Sequence, residues 1–144
     1  MLINFLYGVP TLLLCLMLQA FLLVAVRWFY RRHQNEVDSE AWWPTLQVIW
    51  WVMALLLLGN LGQIGIWATL FVALGEFTDF DAAFYHSAVN FATLGYGDFV
   101  MSDKHKLLGP LEAINGVLMI GVSTALLMTA LQDALSRTLS ARNK

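Results

Sequence analysis

The sequence predicts an all-α membrane protein with three transmembrane helices and one shorter helix between the second and the third. Three observations carry that expectation. Only 12% of the 144 residues are charged and 59% are apolar, where about a quarter charged is usual for a soluble domain. No Asp, Glu, Lys or Arg occurs in residues 1–26, 41–75 or 113–132, and a bilayer core asks for about 20 such residues in a helix. The first and third runs are each followed by basic residues: Arg27, Arg31 and Arg32, then Arg137, Arg142 and Lys144.

Residues 1–30 form the first span. A cleaved signal peptide would need a basic start, a shorter apolar core and a small-residue cleavage site, and FLYGVPTLLLCLMLQAFLLVAVRWFY has none of these. Pro10 is expected near the helix start, where a missing N–H costs little. Cations at a membrane end mark the cytoplasmic side, so the N-terminus is expected outside. A voltage sensor would need several spaced cations within the span, and the span has one, Arg27, at its end. Cys15 is the one cysteine; it has no internal disulfide partner and reads as a packed thiol.

Residues 31–44 make a short cytoplasmic link in which His33 reads as a solvated loop residue. Asp38 or Ser39 suits the N-cap of the next helix, because a short polar side chain can accept from its first free N–H groups. Trp42, Trp43, Trp50 and Trp51 read as an interfacial aromatic belt. The second span runs to about Leu74, roughly 45 Å at 1.5 Å per residue, longer than a ~30 Å core and so tilted or projecting. Gly59, Gly62, Gly65, Asn60 and Gln63 mark a face for close helix packing, expected against the third span or the short helix.

GEFTDFD, from Gly75 to Asp81, restores polarity, with Asp79 or Asp81 placed to cap a helix over 82–92. About eleven residues span ~17 Å, which enters a bilayer without crossing it. His86 on this helix reads as a packed, hydrogen-bonded side chain, since no partner stands at metal-ligand spacing. Residues 75–107 hold Glu76, Asp79, Asp81, Asp98 and Asp103 against Lys104 and Lys106. That acidic surplus would draw cations.

The third span reads LLGPLEAINGVLMIGVSTALLMTALQDAL, with Pro110 in its first turn. Glu112 has two open readings. It is a solvated helix-start acid favoured by the dipole, or it lies behind the preceding loop and braces it through Asn90 and Tyr85. Gly116, Gly121, Ser123, Thr124 and Thr129 are small or short polar residues that suit close helix packing. Residues 136–144 are a short cytoplasmic tail.

The run FYHSAVNFATLGYGD, residues 84–98, carries the most specific signal. Its end, Thr93-Leu94-Gly95-Tyr96-Gly97-Asp98, resembles the signature Thr-Val/Ile-Gly-Tyr-Gly-Asp of the potassium-channel pore family, with Leu94 where Val or Ile is usual. The resemblance covers residues 45–135 and leaves residues 1–30 as a helix additional to the minimal two-span channel. It implies that the short helix re-enters the membrane as a pore helix and that Thr93, Leu94, Gly95, Tyr96 and Gly97 form a selectivity filter. The carbonyls of Thr93, Leu94, Gly95 and Tyr96, with the Thr93 hydroxyl, would replace the water around K⁺. Asp98, Tyr85, His86 and Glu112 would support that filter. Val89 stands where some members carry a Glu partner for the filter Asp. Gly121, or else Gly116, would be the gating hinge of the inner helix, and Ser123, Thr124 and Thr129 would wet the wall of its water-filled cavity.

One loop supplies a quarter of such a filter, so the implied assembly is a homotetramer in lipid. The implied function is passive, potassium-selective conduction across a plasma (inner) membrane, with the N-terminus outside and the C-terminus cytoplasmic. A weakly selective monovalent cation channel and a pore-loop subunit of a potassium uptake transporter are the alternatives. The three His residues lie on separate segments without catalytic spacing, so no enzyme is expected. Neither a cofactor beyond K⁺, a nucleic-acid partner nor a soluble ligand-binding domain is expected.

Overall fold

The computed structural model describes residues 2–33 and 42–142, and in them the chain is helical apart from its connections. Four helices follow in order: α1 Leu2–Arg32, α2 Trp42–Ala73, α3 Phe80–Phe91 and α4 Leu108–Arg142. Three of them, α1, α2 and α4 as far as Ser140, are long and apolar enough to cross a membrane. The short α3 lies between the second and third of these. Such an all-helical chain suits a membrane protein, because a helix satisfies its own backbone N–H and C=O groups in lipid.

Several local expectations change. α1 begins at Leu2, so Pro10 lies inside the helix rather than near its start. The apolar residues ahead of Pro10 carry the helix back past it, and one i→i−4 bond is lost there. His33 is not a solvated loop residue: its backbone N–H donates to the Phe29 carbonyl, its Nδ1 lies 3.0 Å from the same oxygen, and its ring sits 4.4 Å from the Phe29 ring. It closes the C-terminus of α1 by capping a carbonyl. The expected Asp38 or Ser39 cap and most of the 31–44 link fall outside the described residues. α4 runs on to Arg142, so residues 136–142 continue the helix beyond the expected end of the span at 135. The Asp133–Arg137 pair at 2.8 Å supports that extension at i,i+4 spacing.

Two compact units are distinguished, Met1–Gln19 with Asn60–Ile120, and Ala20–Gly59 with Gly121–Lys144. In the first, Trp67, Phe71 and Leu108 are fully buried with Cys15, Ala68 and Ala83, so Cys15 is packed in protein. Gly8 admits α4 closely, since a Cβ on it would come 2.6 Å from Leu111 Cδ1. A buried Gln63–Gln19 hydrogen bond of 2.8 Å ties α2 to α1. In lipid such a pair contributes about 0.6 to 2 kcal/mol, because tails are as apolar as the side chains they would replace. In the second unit Val26, Val48, Val52 and Ala134 form a buried cluster, with the Thr45 and Thr138 hydroxyls hydrogen-bonded at 3.1 Å.

The glycine face of α2 therefore serves α1 more than was expected. A Cβ on Gly59 would meet Leu22 at 2.2 Å, and one on Gly62 would lie 4.0 Å from Leu18, both on α1. Only Gly65 looks to the short helix, 4.0 Å from Phe84. Large apolar side chains elsewhere remain exposed on the single chain, among them Met17 at 71%, Phe21 at 70% and Leu58 at 65%. Patches of this kind call for lipid or another chain.

Candidate functional site

The site is built where α3 ends. Asp79 occupies the N-cap position with extended dihedrals but makes no side-chain cap bond. α3 then runs to Phe91 and closes on itself. Ala92 N donates to Ala88 O, Thr93 N to Asn90 O and Leu94 N to Val89 O. The last two bonds, spanning three and five residues, are those of a Schellman motif with Thr93 at the C′ position. That position takes left-handed dihedrals, and Thr93 has φ 58°. Glycine is the usual occupant; a β-branched residue there stores about 1–3 kcal/mol of strain.

The hand of the backbone then alternates. Gly95 and Gly97 also have positive φ, 59° and 76°, while Leu94 and Tyr96 between them do not. Glycine reaches these dihedrals without a Cβ clash. Residues 93–97 thus form an irregular segment of alternating backbone hand beyond the end of α3. Residues 92–100 are all exposed on the single chain, Leu94 at 53% and Tyr96 at 65%. A cavity of about 380 Å³ runs alongside, bounded by His86, Asn90, Thr93, Gly95, Gly97 and Val100 among others.

One polar link holds this segment to α3, and a second ties α3 itself to α4 and α2. Tyr85 donates its hydroxyl to Asp98 Oδ2 at 2.8 Å, and Asp98 Oδ1 accepts from Phe99 N at 3.1 Å. The Asp98 carboxylate accepting that bond keeps the Tyr85 phenol protonated to higher pH than usual. Phe99 stacks edge-on with Tyr85 and Phe77 at 5.9 and 6.2 Å. The second link is buried. Asn90 Nδ2 lies 3.0 Å from His86 Nε2 and donates to Glu112 Oε2 at 3.3 Å. Ser87 Oγ is hydrogen-bonded to Glu112 Oε1 and donates to the Ile64 carbonyl at 2.8 Å. Glu112 is fully buried, so it is no solvated helix start. Burial lowers the pKa of His86, against the Phe99 backbone and the charges of Asp98 and Glu76.

Tyr85 and Glu112 are thus not partners; each belongs to a different link. Ser87, which sequence reasoning passed over, is the closest contact of Glu112. It sits three residues before Asn90 and so on the same helical face, a signal that was present but weak. Gly116 packs directly on the end of α3: a Cβ there would stand 2.0 Å from the Phe91 carbonyl oxygen. Around Gly121 nothing lies within 4 Å of such an atom. Thr129 Oγ1 donates to Ala125 O of its own helix, and Ser123 is 7% exposed.

The loop before α4 also departs from expectation. Glu76, one of the acids of the 75–107 surplus, is engaged by Ser102 and His105. Its Oε1 lies 2.6 Å from Ser102 Oγ and 2.6 Å from His105 Nδ1, and its Oε2 accepts from Ser102 N at 2.7 Å. Burial works against its charge, but the bonds from Ser102 and His105 outweigh it and hold the carboxyl below its ordinary range. Asn4 Nδ2 adds a bond from α1 to the Lys104 carbonyl at 3.0 Å.

A family model described as ion channel spans residues 61–133, just over half of the chain, from within α2 to within α4. No curated protein and no solved structure matches the chain. With three apolar helices long enough to cross a membrane and that family match over α3, the irregular strand and the core of α4, the chain belongs to the ion channel family.

Proposed function

We propose that the protein is a potassium-selective channel, conducting K⁺ passively through a filter formed by Thr93, Leu94, Gly95, Tyr96 and Gly97 of four identical chains. The observation that carries this reading is the alternation of backbone hand along the TLGYG segment at the C-terminal end of α3. A dehydrated cation needs a ring of carbonyl oxygens in place of its water, and an alternating strand can offer one oxygen per residue to a common axis. The C-terminal end of a helix carries partial negative charge, which also favours a cation beside Thr93. One strand cannot encircle an ion. The exposure of residues 92–100 on the single chain is what a strand facing three copies of itself would show.

In this reading α3 re-enters the membrane, and Asp98, Tyr85, His86 and Glu112 hold the strand at its set distance from the axis. Tyr96 points away from the ion path, where the cavity beside the strand can take an aromatic ring. Gly121 serves the opening of α4, while Gly116 lets α4 approach the end of α3. Six of the eight Lys and Arg residues follow the first and third spans or end the chain, which supports a cytoplasmic C-terminus, an outside N-terminus and a plasma (inner) membrane location. Native mass spectrometry of the purified protein, paired with potassium flux into liposomes, tests the assembly. Four copies with potassium uptake are expected. A monomer or dimer that conducts would overturn the four-fold filter.

A further inference from the structure

The second unit holds a cavity of about 350 Å³ between α1 and α4, bordered by Arg27, Arg31, Tyr30, Asp133 and Arg137. Its remaining wall is Val26, Leu126, Ala130 and Thr129, whose hydroxyl is turned back to the Ala125 carbonyl. Arg27 and Arg31 stand one turn apart on α1, and like charges at that spacing repel. Neither forms an ion pair among the described residues. The single carboxylate of the cavity, Asp133, already accepts from Tyr30 at 3.0 Å and from Arg137 Nε at 2.8 Å. Among the described residues Arg27 and Arg31 thus border the cavity without an acid partner, beside Val26 and Leu126.

We propose that this cavity binds the phosphate headgroup of an anionic phospholipid, with its first acyl carbons against Val26 and Leu126. Guanidinium groups match phosphate oxygens in paired hydrogen bonds, and pockets of a few hundred cubic ångströms suit small ligands. The place, at the end of an apolar span, suits a headgroup. Arg27 and Arg31 end an apolar span, and Trp28 and Tyr30 beside them are interfacial residues. A free phosphate would use the guanidinium groups but not the apolar wall. The inference rests on the chain's placement in a membrane and not on potassium conduction.

Binding is read without any flux measurement. Protein in neutral detergent is melted with added short-chain phosphatidylglycerol, with phosphatidylcholine of the same chain length, or with inorganic phosphate, and bound lipid is counted by native mass spectrometry. Phosphatidylglycerol should raise the midpoint and remain bound; phosphatidylcholine and phosphate should do neither. At the interfacial contribution of one basic residue, Arg27→Gln or Arg31→Gln should weaken binding about fivefold and the double variant about thirtyfold. Both side chains are exposed, so the midpoint without lipid should stay near that of the parent. Arg32→Gln, whose guanidinium lies over the Trp28 ring 5.5 Å away and outside the cavity, should bind as the parent does. Full binding by the double variant overturns the proposal. So does an equal loss in Arg32→Gln, which would mark unspecific surface attraction, or an equal shift from inorganic phosphate.

Discussion

Three glycines on packed helices make a graded test of the close contacts. Alanine is better than glycine in a helix interior by about 1 kcal/mol, so each Gly→Ala change begins with the same gain and differs only in what the new Cβ meets. At Gly121 nothing lies within 4 Å, and the gain should appear undiminished. At Gly59 the Cβ would come 2.2 Å from Leu22 Cδ1, the far end of a flexible side chain. A rotamer shift there costs about 0.5–1.5 kcal/mol, so the net should be near zero. At Gly116 the Cβ would come 2.0 Å from the Phe91 carbonyl oxygen and 2.7 Å from its carbon. Backbone cannot step aside as a side chain can, and overpacking of this kind costs about 1–3 kcal/mol, occasionally more. At the upper end of that range Gly116→Ala should lose roughly 2 kcal/mol after the propensity gain. Thermal melts of the three variants in one detergent give the order Gly121→Ala above the parent, Gly59→Ala near it, Gly116→Ala well below. A Gly116→Ala protein as stable as the parent would refute the close approach of α4 to α3. In channel recordings Gly121→Ala should shift open probability and leave ion preference alone.

Further outcomes concern the two polar links and the loop. Glu112→Ala removes the bond shared with Ser87 and the one donated by Asn90, while Ile64 and His86 remain as their other partners; the loss should be about 1–3 kcal/mol in a melt. Glu112→Gln can donate to Ser87 and accept from Asn90, and should stay within about 1 kcal/mol of the parent; equal melts for the two variants would remove the buried link. Glu76 has a folded-state pKa below its unfolded value, so its contribution is present at neutral pH and lost as pH falls below about 4.3. Glu76→Gln should flatten that acid-side loss of stability, and an unchanged slope would count against the Ser102–His105 anchorage. Tyr96→Asp should lower potassium selectivity in liposome flux, and selectivity kept intact would show that the ring does not set the strand.

Much of this architecture was legible because uncharged runs report membrane helices directly. The three spans follow from where Arg27, Glu40, Glu76 and Asp133 interrupt the apolar sequence, and α3 from its length and polar start. The TLGYGD segment was legible because glycine at alternate positions is a backbone requirement written in residue type. Side-chain partnership was not. Ser87 and Glu112 meet across 25 residues, and Glu76 meets Ser102 across 26; periodicity within one element carries no information about a contact between two. The glycines of α2 announce close packing but not the partner, and Gly59 and Gly62 turned out to face α1. The helical end of α4 was missed because polar Ser136, Thr138 and Ser140 look like a tail. Their hydroxyls are turned back on the helix instead, Thr138 donating to Ala134 O and Ser140 to Ser136 O.

The central claim is ion preference at residues 93–97, and a bi-ionic reversal potential measures it directly. With the purified protein in a planar bilayer, potassium on one side and sodium on the other, the current should reverse far toward the potassium equilibrium potential, and rubidium in place of potassium should change that little. Reversal near zero, with sodium and potassium carried equally, would contradict a carbonyl filter fitted to a dehydrated potassium ion.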